Sequence, residues 1–351
     1  MVSSYLKYAS TITKTRSLYG KLLSKDDYNE IIEKKDVHDV AAYLKNNTYY
    51  GNILVDVNEN IVHRGELEKI LKTSVQNDYA KLLKFLRGKA KKFLETIFLR
   101  YEIEDLKIIL RILSTDQPNE LEFESLVFLT RYSELDRDKL VLSESVTEFI
   151  ENLKGTEYYN VLAPFATIKE RQKLFDIEMA LDIHFFKMVL DAKDRLLSGS
   201  DRKIVNDIYG IEIDILNIFW IYRCIKFFDM PKEVILNHVI PHWHNLNRRQ
   251  LIDLSSCKNM EEFKGIISNT KYRKILKSEE EPMWEKNYMF FLYKLYKKQL
   301  YNGDNNFGTV MAYLRLKEMD IKNIITIIEG IRYSLPKEEV KKFVVVHWSE
   351  V

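Results

Sequence analysis

The sequence has few of the residues that interrupt helices. Its 351 residues include only 11 glycines and 6 prolines, whereas a strand-rich protein needs turn residues every few positions. Hydrophobic residues make up 46% of the chain and charged residues 30%, which is typical of a folded globular protein and not of a disordered one. We therefore predict long helices packed around sizeable cores.

Cysteine and an excess of one charge are also missing. Cys224 and Cys257 are the only cysteines, and they stand in no metal-binding or redox spacing, which argues against a disulfide scaffold and favours a reducing cytoplasm. The 54 basic residues are nearly balanced by 52 acidic ones. A general nucleic-acid-binding protein needs a basic surplus, so we predict no nucleic-acid partner.

Long apolar runs are absent as well. The nearest approach, residues 211–228, is interrupted by Glu212, Asp214, Arg223 and Lys226, so a membrane span is not expected. The first residues lack the apolar core of a signal peptide. No glycine-rich phosphate-binding loop occurs either, and we therefore expect no nucleotide site, no cofactor and no catalytic residue.

The strongest positive signal is an internal repeat. The pattern Thr-x-Tyr-x-x-x-Leu occurs three times, at intervals of 108 and 114 residues. Its members are Thr48, Tyr50 and Leu54, then Thr156, Tyr158 and Leu162, and finally Thr270, Tyr272 and Leu276. We interpret them as repeat anchors, in which the threonine caps the next turn and the tyrosine buries its ring while its hydroxyl keeps a polar partner.

A second motif follows each anchor. It consists of an acidic residue, Ile, any residue, Asp or Asn, and Leu or Ile, and it lies 54, 58 and 50 residues after the threonine of its own repeat. Its polar positions are Glu102 and Asp105, Asp214 and Asn217, and Asp320 and Asn323. Paired carboxylates for acid–base catalysis are one interpretation, but an active site rarely recurs in three repeats. Two others remain: these residues hydrogen-bond across helix packing, or they line a socket for a partner.

Helical periodicity surrounds both motifs. A short amphipathic segment precedes each Thr-x-Tyr pattern, at residues 40–44, 146–150 and 260–263, and long helical patterns follow it. We therefore predict an all-α fold of three homologous helical domains of about 110 residues around a pseudo-threefold axis. With helix breaks at residues 114–119 and 229–231, the domains span residues 1–118, 119–230 and 231–351.

Three histidines, His238, His242 and His244, form the most enzyme-like cluster. On one helix, His238 and His242 would share a face, as zinc ligands do. However, Pro241 interrupts that helix, and no acidic residue stands nearby as a third ligand. A solvated connection before the third repeat is the better interpretation, and we expect no bound metal.

Together these features resemble the family of the C subunit of prokaryotic V-type (A/V-type) ATPases, whose eukaryotic relative is the d subunit of the V-ATPase. The likeness spans nearly the whole chain. It rests on the order of the repeated motifs, on the opening segment at residues 16–24, on Ile240-Pro241 and on the C-terminal stretch at residues 313–324.

The resemblance implies a funnel-shaped helical body, peripheral to the membrane on its cytoplasmic face. Such a protein joins the central axle, made of the D and F subunits, to the rotor ring of membrane subunits, and it transmits torque for proton or sodium ion transport. It has no active site of its own. The alternative is a helical repeat scaffold unrelated to rotary ATPases, although the repeats of such scaffolds usually span only about 30 to 45 residues.

Overall fold

The computed structural model confirms the all-α prediction. It describes residues 2–114, 126–166, 172–278, 281–302, 306–346 and 348, and it has no strand within them. The described chain forms two compact units. Unit 1 combines residues 1–87 with residues 271–351, and unit 2 comprises residues 88–270.

The helices differ widely in length, from single turns to more than seven turns. In the first half of the chain they are α1 (Val2–Tyr19), α2 (Lys25–Ile32), α3 (Val37–Asn47), α4 (Arg64–Leu83), α5 (Gly88–Phe98), α6 (Arg100–Leu113), α7 (Val127–Arg131), α8 (Arg137–Val141), α9 (Val146–Asn152) and α10 (Glu157–Leu162). In the second half they are α11 (Gln172–Leu196), α12 (Gly199–Phe228), α13 (Lys232–Asn237), α14 (Arg248–Ser255), α15 (Met260–Ser268), α16 (Pro282–Asn302), α17 (Phe307–Arg332) and α18 (Lys337–Phe343). Short 3-10 helices follow α3, at Tyr49–Asn52, and α10, at Ala163–Phe165.

Helix α17 is the central helix of unit 1. It is buried on nearly all sides, and it packs against α1, α2, α3, α4, α16 and α18. A helix that is buried all round belongs to the interior of a domain. Helices of the first and third sequence repeats therefore share one core.

Helices α11 and α12 form the centre of unit 2. Helix α11 packs against α5, α6, α10 and α12, and α12 also packs against α14. Helix α6, which carries the polar motif of the first repeat, packs against α7 and α9 of the second. Here too, helices from successive sequence repeats are combined in one core.

A pair of short helices precedes each Thr-x-Tyr motif. The pairs are α2 and α3, α8 and α9, and α14 and α15, so the predicted short segments lie within α3, α9 and α15. Each of these helices begins at a polar residue whose side chain accepts a hydrogen bond from a backbone N–H of the first turn, which satisfies an otherwise unpaired donor. These caps are Ser24, Asp36, Asp136, Ser145, Asn247 and Asn259.

The division into three domains and their funnel-like, pseudo-threefold arrangement stay predictions. The predicted boundary at residues 118–119 lies outside the described residues. The boundary at residues 230–231 follows the end of α12, where Asp229 adopts a left-handed φ of 46°. Within the described residues, no helix is both long and apolar enough to cross a membrane.

Candidate functional site

The three repeated threonines end one short helix and begin the next turn. Each of Thr48, Thr156 and Thr270 donates its hydroxyl to a backbone carbonyl three or four residues earlier, at 2.6–2.7 Å. Thr48 and Thr156 also accept hydrogen bonds from the N–H groups of Tyr50 and Tyr159. The side chain thus replaces backbone partners that are lost where a helix stops.

The tyrosines and leucines of the motif lie in the core. The exposed fraction is at most 2% for the three tyrosines and at most 7% for the three leucines. These residues are Tyr50, Tyr158, Tyr272, Leu54, Leu162 and Leu276. A buried tyrosine needs a partner for its hydroxyl, and in two repeats that partner is the first acidic residue of the second motif.

In unit 1, Asp320 is the acceptor. Its carboxylate accepts hydrogen bonds from the hydroxyl of Tyr50, at 2.6 Å, and from the hydroxyl of Tyr28. The backbone N–H of Leu23 also donates to it. Because Asp320 is buried, removal from water raises the pKa of its carboxyl, although these donors and the nearby Lys317 oppose the rise.

In unit 2, the same pairing joins the first two repeats. The hydroxyl of Tyr158 donates to Oε1 of Glu102 at 2.7 Å, and both side chains are buried. Glu102 lies on α6, whereas Tyr158 lies on α10, 56 residues later. The motif of one repeat therefore satisfies the anchor tyrosine of the next repeat.

Asp214 plays a related part with backbone donors. Its two carboxylate oxygens accept hydrogen bonds from the N–H groups of His244, Asn245 and Leu246, at 3.3, 2.6 and 3.0 Å. Leu246 directly precedes the cap of α14, just as Leu23 directly precedes the cap of α2. Asp214 and Asp320 thus bind the chain at equivalent points of two repeats.

The side chain at the fourth position of the motif forms hydrogen bonds with the backbone of a residue further along the chain. Oδ1 of Asn217 accepts the N–H of Ile240 at 2.9 Å, and its Nδ2 donates to the carbonyl of the same residue at 3.0 Å. Asn323 makes the same two bonds with Val345, at 2.8 and 3.2 Å. We call these contacts backbone clamps; each spans 23 or 22 residues of chain.

Asp105 forms the corresponding clamp in the first repeat. Its carboxyl accepts the N–H of Leu129 at 3.0 Å, across 24 residues, and that of Phe128. Burial raises the pKa of Asp105 to about 7, and the neighbouring Glu104 and Glu102 add to the rise, while the two N–H groups oppose it. A protonated carboxyl offers a donor beside an acceptor, as an amide does. When protonated, Asp105 has the neutral donor–acceptor pair of an amide, although it binds two N–H groups where Asn217 and Asn323 each bind one N–H and one carbonyl.

All six polar motif residues are thus buried and hydrogen-bonded, with at most 6% of each exposed. A neighbouring network in unit 1 was not anticipated from the sequence. There, the hydroxyl of Tyr313 donates to Asp78 at 2.5 Å, and the ammonium of Lys317 lies 3.9 Å from the centroid of the Tyr50 ring. Burial lowers the pKa of Lys317. No sequence spacing indicates these contacts, because α4 and α17 stand at opposite ends of the chain.

A cavity of about 350 Å³ opens beside this network in unit 1. Its lining includes the polar motif residues Asp320 and Asn323 and the apolar residues Leu316, Met319, Val345 and Val346. The polar part of the lining also includes a serine, three tyrosines and two lysines: Ser24, Tyr19, Tyr28, Tyr293, Lys25 and Lys297.

The histidine cluster of the sequence is dispersed over a loop of unit 2. His238 follows α13 and bonds through Nε2 to Asp176 and through Nδ1 to the carbonyl of Val234, each at 2.8 Å. The ring of His244 packs against Gly210. Over the described parts of the chain, no group of three or more His, Cys, Asp or Glu residues is arranged to hold a metal ion.

Comparison with known protein families agrees with the motif order. The family model described as the ATP synthase (C/AC39) subunit matches residues 11–343. The chain belongs to this ATP synthase (C/AC39) subunit family. The family match begins within α1 and ends with α18, so it includes both units and all three repeats.

Among individual members, the chain is similar to archaeal proteins named as the C subunit of A-type ATP synthase. It is 24% identical to that of Methanosphaera stadtmanae, over 96% of this chain and 88% of the relative. It is 23% identical to that of Methanocaldococcus jannaschii, over 98% and 88%, and 21% identical to that of Archaeoglobus fulgidus, over 97% and 96%. The resemblance inferred from the repeats is therefore confirmed at the level of the family.

Proposed function

We propose that this chain is the non-catalytic central-stalk subunit of a rotary V-type ATPase. In this role it joins an axle made of the D and F subunits to the membrane rotor ring, and it transmits the torque that drives proton or sodium ion transport. The family match over residues 11–343 carries the proposal. The names of the archaeal relatives, which are C subunits of A-type ATP synthase, support it. The chain would work as a peripheral protein on the cytoplasmic face of the membrane.

The internal construction is suited to a mechanical part. Close-packed interiors have low compressibility and transmit strain, and the backbone clamps add hydrogen bonds that fix loops to long helices. Asn217 and Asn323 each use both amide atoms for this purpose. Each unit would therefore deform little under the applied torque.

The burial of the six polar motif residues favours packing as their main role. A surface contact with the axle requires side chains that the partner can reach, and Glu102, Asp105, Asp214 and Asn217 already satisfy their polar groups inside unit 2. Asp320 and Asn323 also border the cavity of unit 1. We therefore expect exposed residues to supply most of the axle contact.

Co-purification with the D and F subunits encoded by the same organism tests the proposal. The tagged chain should retain the D–F pair and should show no ATPase activity alone. In the assembled complex, its removal should detach the catalytic headpiece from the membrane sector and leave ATP hydrolysis by the headpiece intact. If the chain binds neither D–F nor the membrane sector, the helical scaffold becomes the better description.

A further inference from the structure

Two lysines line the cavity of unit 1 without a carboxylate partner in the described parts of the chain. Lys297 donates to the hydroxyl of Tyr19, and its ammonium lies 5.0–5.6 Å from the ring centroids of Tyr19, Tyr293 and Tyr301. Among the described residues, neither Lys297 nor Lys25 forms an ion pair. By comparison, Lys45 and Lys322 of the same unit pair with glutamates at 2.9 and 2.7 Å.

Asp320, which also lines the cavity, forms no ion pair with Lys25 or Lys297. Asp320 already accepts hydrogen bonds from two tyrosine hydroxyls and a backbone N–H. Lys317, three residues earlier on α17, further offsets its charge. The carboxylate is therefore committed to this hydrogen-bond network, and among the described lining residues Lys25 and Lys297 give the cavity an excess of positive charge.

The apolar lining and the volume of the cavity limit the kind of ligand that it can bind. Leu316, Met319, Val345 and Val346 add apolar groups to the lining. The volume of about 350 Å³ lies at the lower end of the range for small-molecule sites, which is about 300–1,000 Å³. It is too small for a helix, whose diameter with side chains is about 10 Å. A compact anion with a short apolar body would match both surfaces.

We propose that this cavity binds an anionic group, a carboxylate or a phosphate, with Lys297 as its principal ligand and Lys25 as the second. The aromatic rings around Lys297 hold its ammonium in place, so little side-chain entropy is lost when the anion arrives. The same chemistry has two sources. The anion is either a free metabolite or an acidic side chain that a partner protein inserts.

Methyl NMR of the full chain provides a local assay, because Met319 lines the cavity and its methyl group reports changes in its surroundings. The Met319 signal is assigned with Met319→Leu and then followed during titration with inorganic phosphate or butyrate, against chloride at equal ionic strength. Met179, which is buried in unit 2, is the remote reference. Wild type should show a saturable shift of Met319 and none of Met179.

Variants of one helix connect the response to the ammonium. Lys297→Gln should raise the half-saturating concentration by about tenfold or more, since a charge-assisted hydrogen bond is lost, and Lys297→Arg should restore much of it. The matched control is Lys298→Gln, which removes an exposed lysine that does not line the cavity. A saturable Met319 shift with the same half-saturating concentration in wild type and Lys297→Gln overturns the site.

A second arm separates the two sources of the anion. If free anions leave Met319 unchanged but Lys297→Gln alone weakens binding of the D–F axle, the anionic group belongs to the partner. If Met319 does not respond and all variants bind the axle equally, the anion site is refuted. In that last outcome the proposed stalk function still stands, because the wild-type chain binds its partner.

Discussion

Replacing Asp105 with asparagine should stabilise the protein at neutral and alkaline pH. The ordinary pKa of the Asp105 carboxyl is 3.8, and burial raises it to about 7 in the folded chain. The fold therefore favours the neutral form. The neutral carboxyl of Asp105 contributes fully to stability below the pKa of the unfolded chain, 3.8. This contribution is lost as the pH rises through the pKa of the folded chain, near 7. Asparagine avoids this loss because it is neutral throughout, and its Oδ1 can still accept the N–H of Leu129.

The magnitude follows from the size of the shift. A difference of about 3 units corresponds to roughly 4 kcal/mol at about 1.36 kcal/mol per unit, and this is an upper bound because unfolded chains retain some structure. We expect Asp105→Asn to match wild type near pH 4 and to exceed it by on the order of 2–4 kcal/mol at pH 8.

Hydrogen exchange of α7 is the most direct measurement, because Asp105 binds the N–H groups of Phe128 and Leu129 within that helix. At pH 8, peptides that cover α7 should exchange about 30-fold more slowly in the variant, or slower still. Asp191→Asn, which alters an exposed aspartate of unit 2, should change nothing. Parallel loss of protection in wild type and Asp105→Asn as the pH rises would refute the argument.

Three other sites give independent tests. Tyr158→Phe should destabilise unit 2 by about 1–3 kcal/mol because Glu102 loses its buried donor, and Tyr158→Ala by about 3–5 kcal/mol because the ring is also lost; thermal melts identical to wild type would show that neither matters. Asn217→Asp removes the hydrogen bond to the carbonyl of Ile240 and buries an acid. The free energy of unfolding should therefore fall by about 2–4 kcal/mol at pH 8, and by less at pH 5, where the acid is more readily protonated. Urea unfolding at both pH values measures this, and an equal loss at both would contradict it. In Gly210→Ala, the new Cβ would lie 2.6 Å from Cγ of His244. This overlap should lower the free energy of unfolding by about 1–3 kcal/mol. Adding His244→Gly, which also removes the His244 Cβ that would lie 2.7 Å away, should relieve the clash, whereas an additive double-mutant cycle would argue against it.

The sequence predicted the helical class and the repeated motifs, because both are local or periodic properties. It also limited the polar motif to two roles, packing or a socket. It did not predict which residues meet. Tyr158 and Glu102 are 56 residues apart, and Tyr50 and Asp320 are 270 apart. A repeat shows that positions are equivalent, but it does not show that the anchor of one repeat contacts the motif of another.

The cavity and its lysines were also beyond sequence analysis. Lys25 and Lys297 lie in ordinary helical patterns, and a charged residue in such a pattern is usually a solvated one. Their significance depends on their forming no ion pair within the described part of the chain, which only the three-dimensional structure shows. The same is true of Asp105, whose unusual pKa results from burial and not from its place in the motif.

Helix α17 comes late in the chain but packs against α1, α2, α3 and α4, and this sets the order in which the two units can be completed during synthesis. The hydroxyls of Tyr28 and Tyr50 find their carboxylate only when Asp320 has emerged from the ribosome. Unit 2, which ends at residue 270, has all of its residues available earlier. The first 87 residues therefore cannot complete the core of unit 1 until the last 81 have been synthesised. During that interval their apolar surface is exposed to chaperones and to aggregation. A nascent chain stalled before α17 would expose this intermediate.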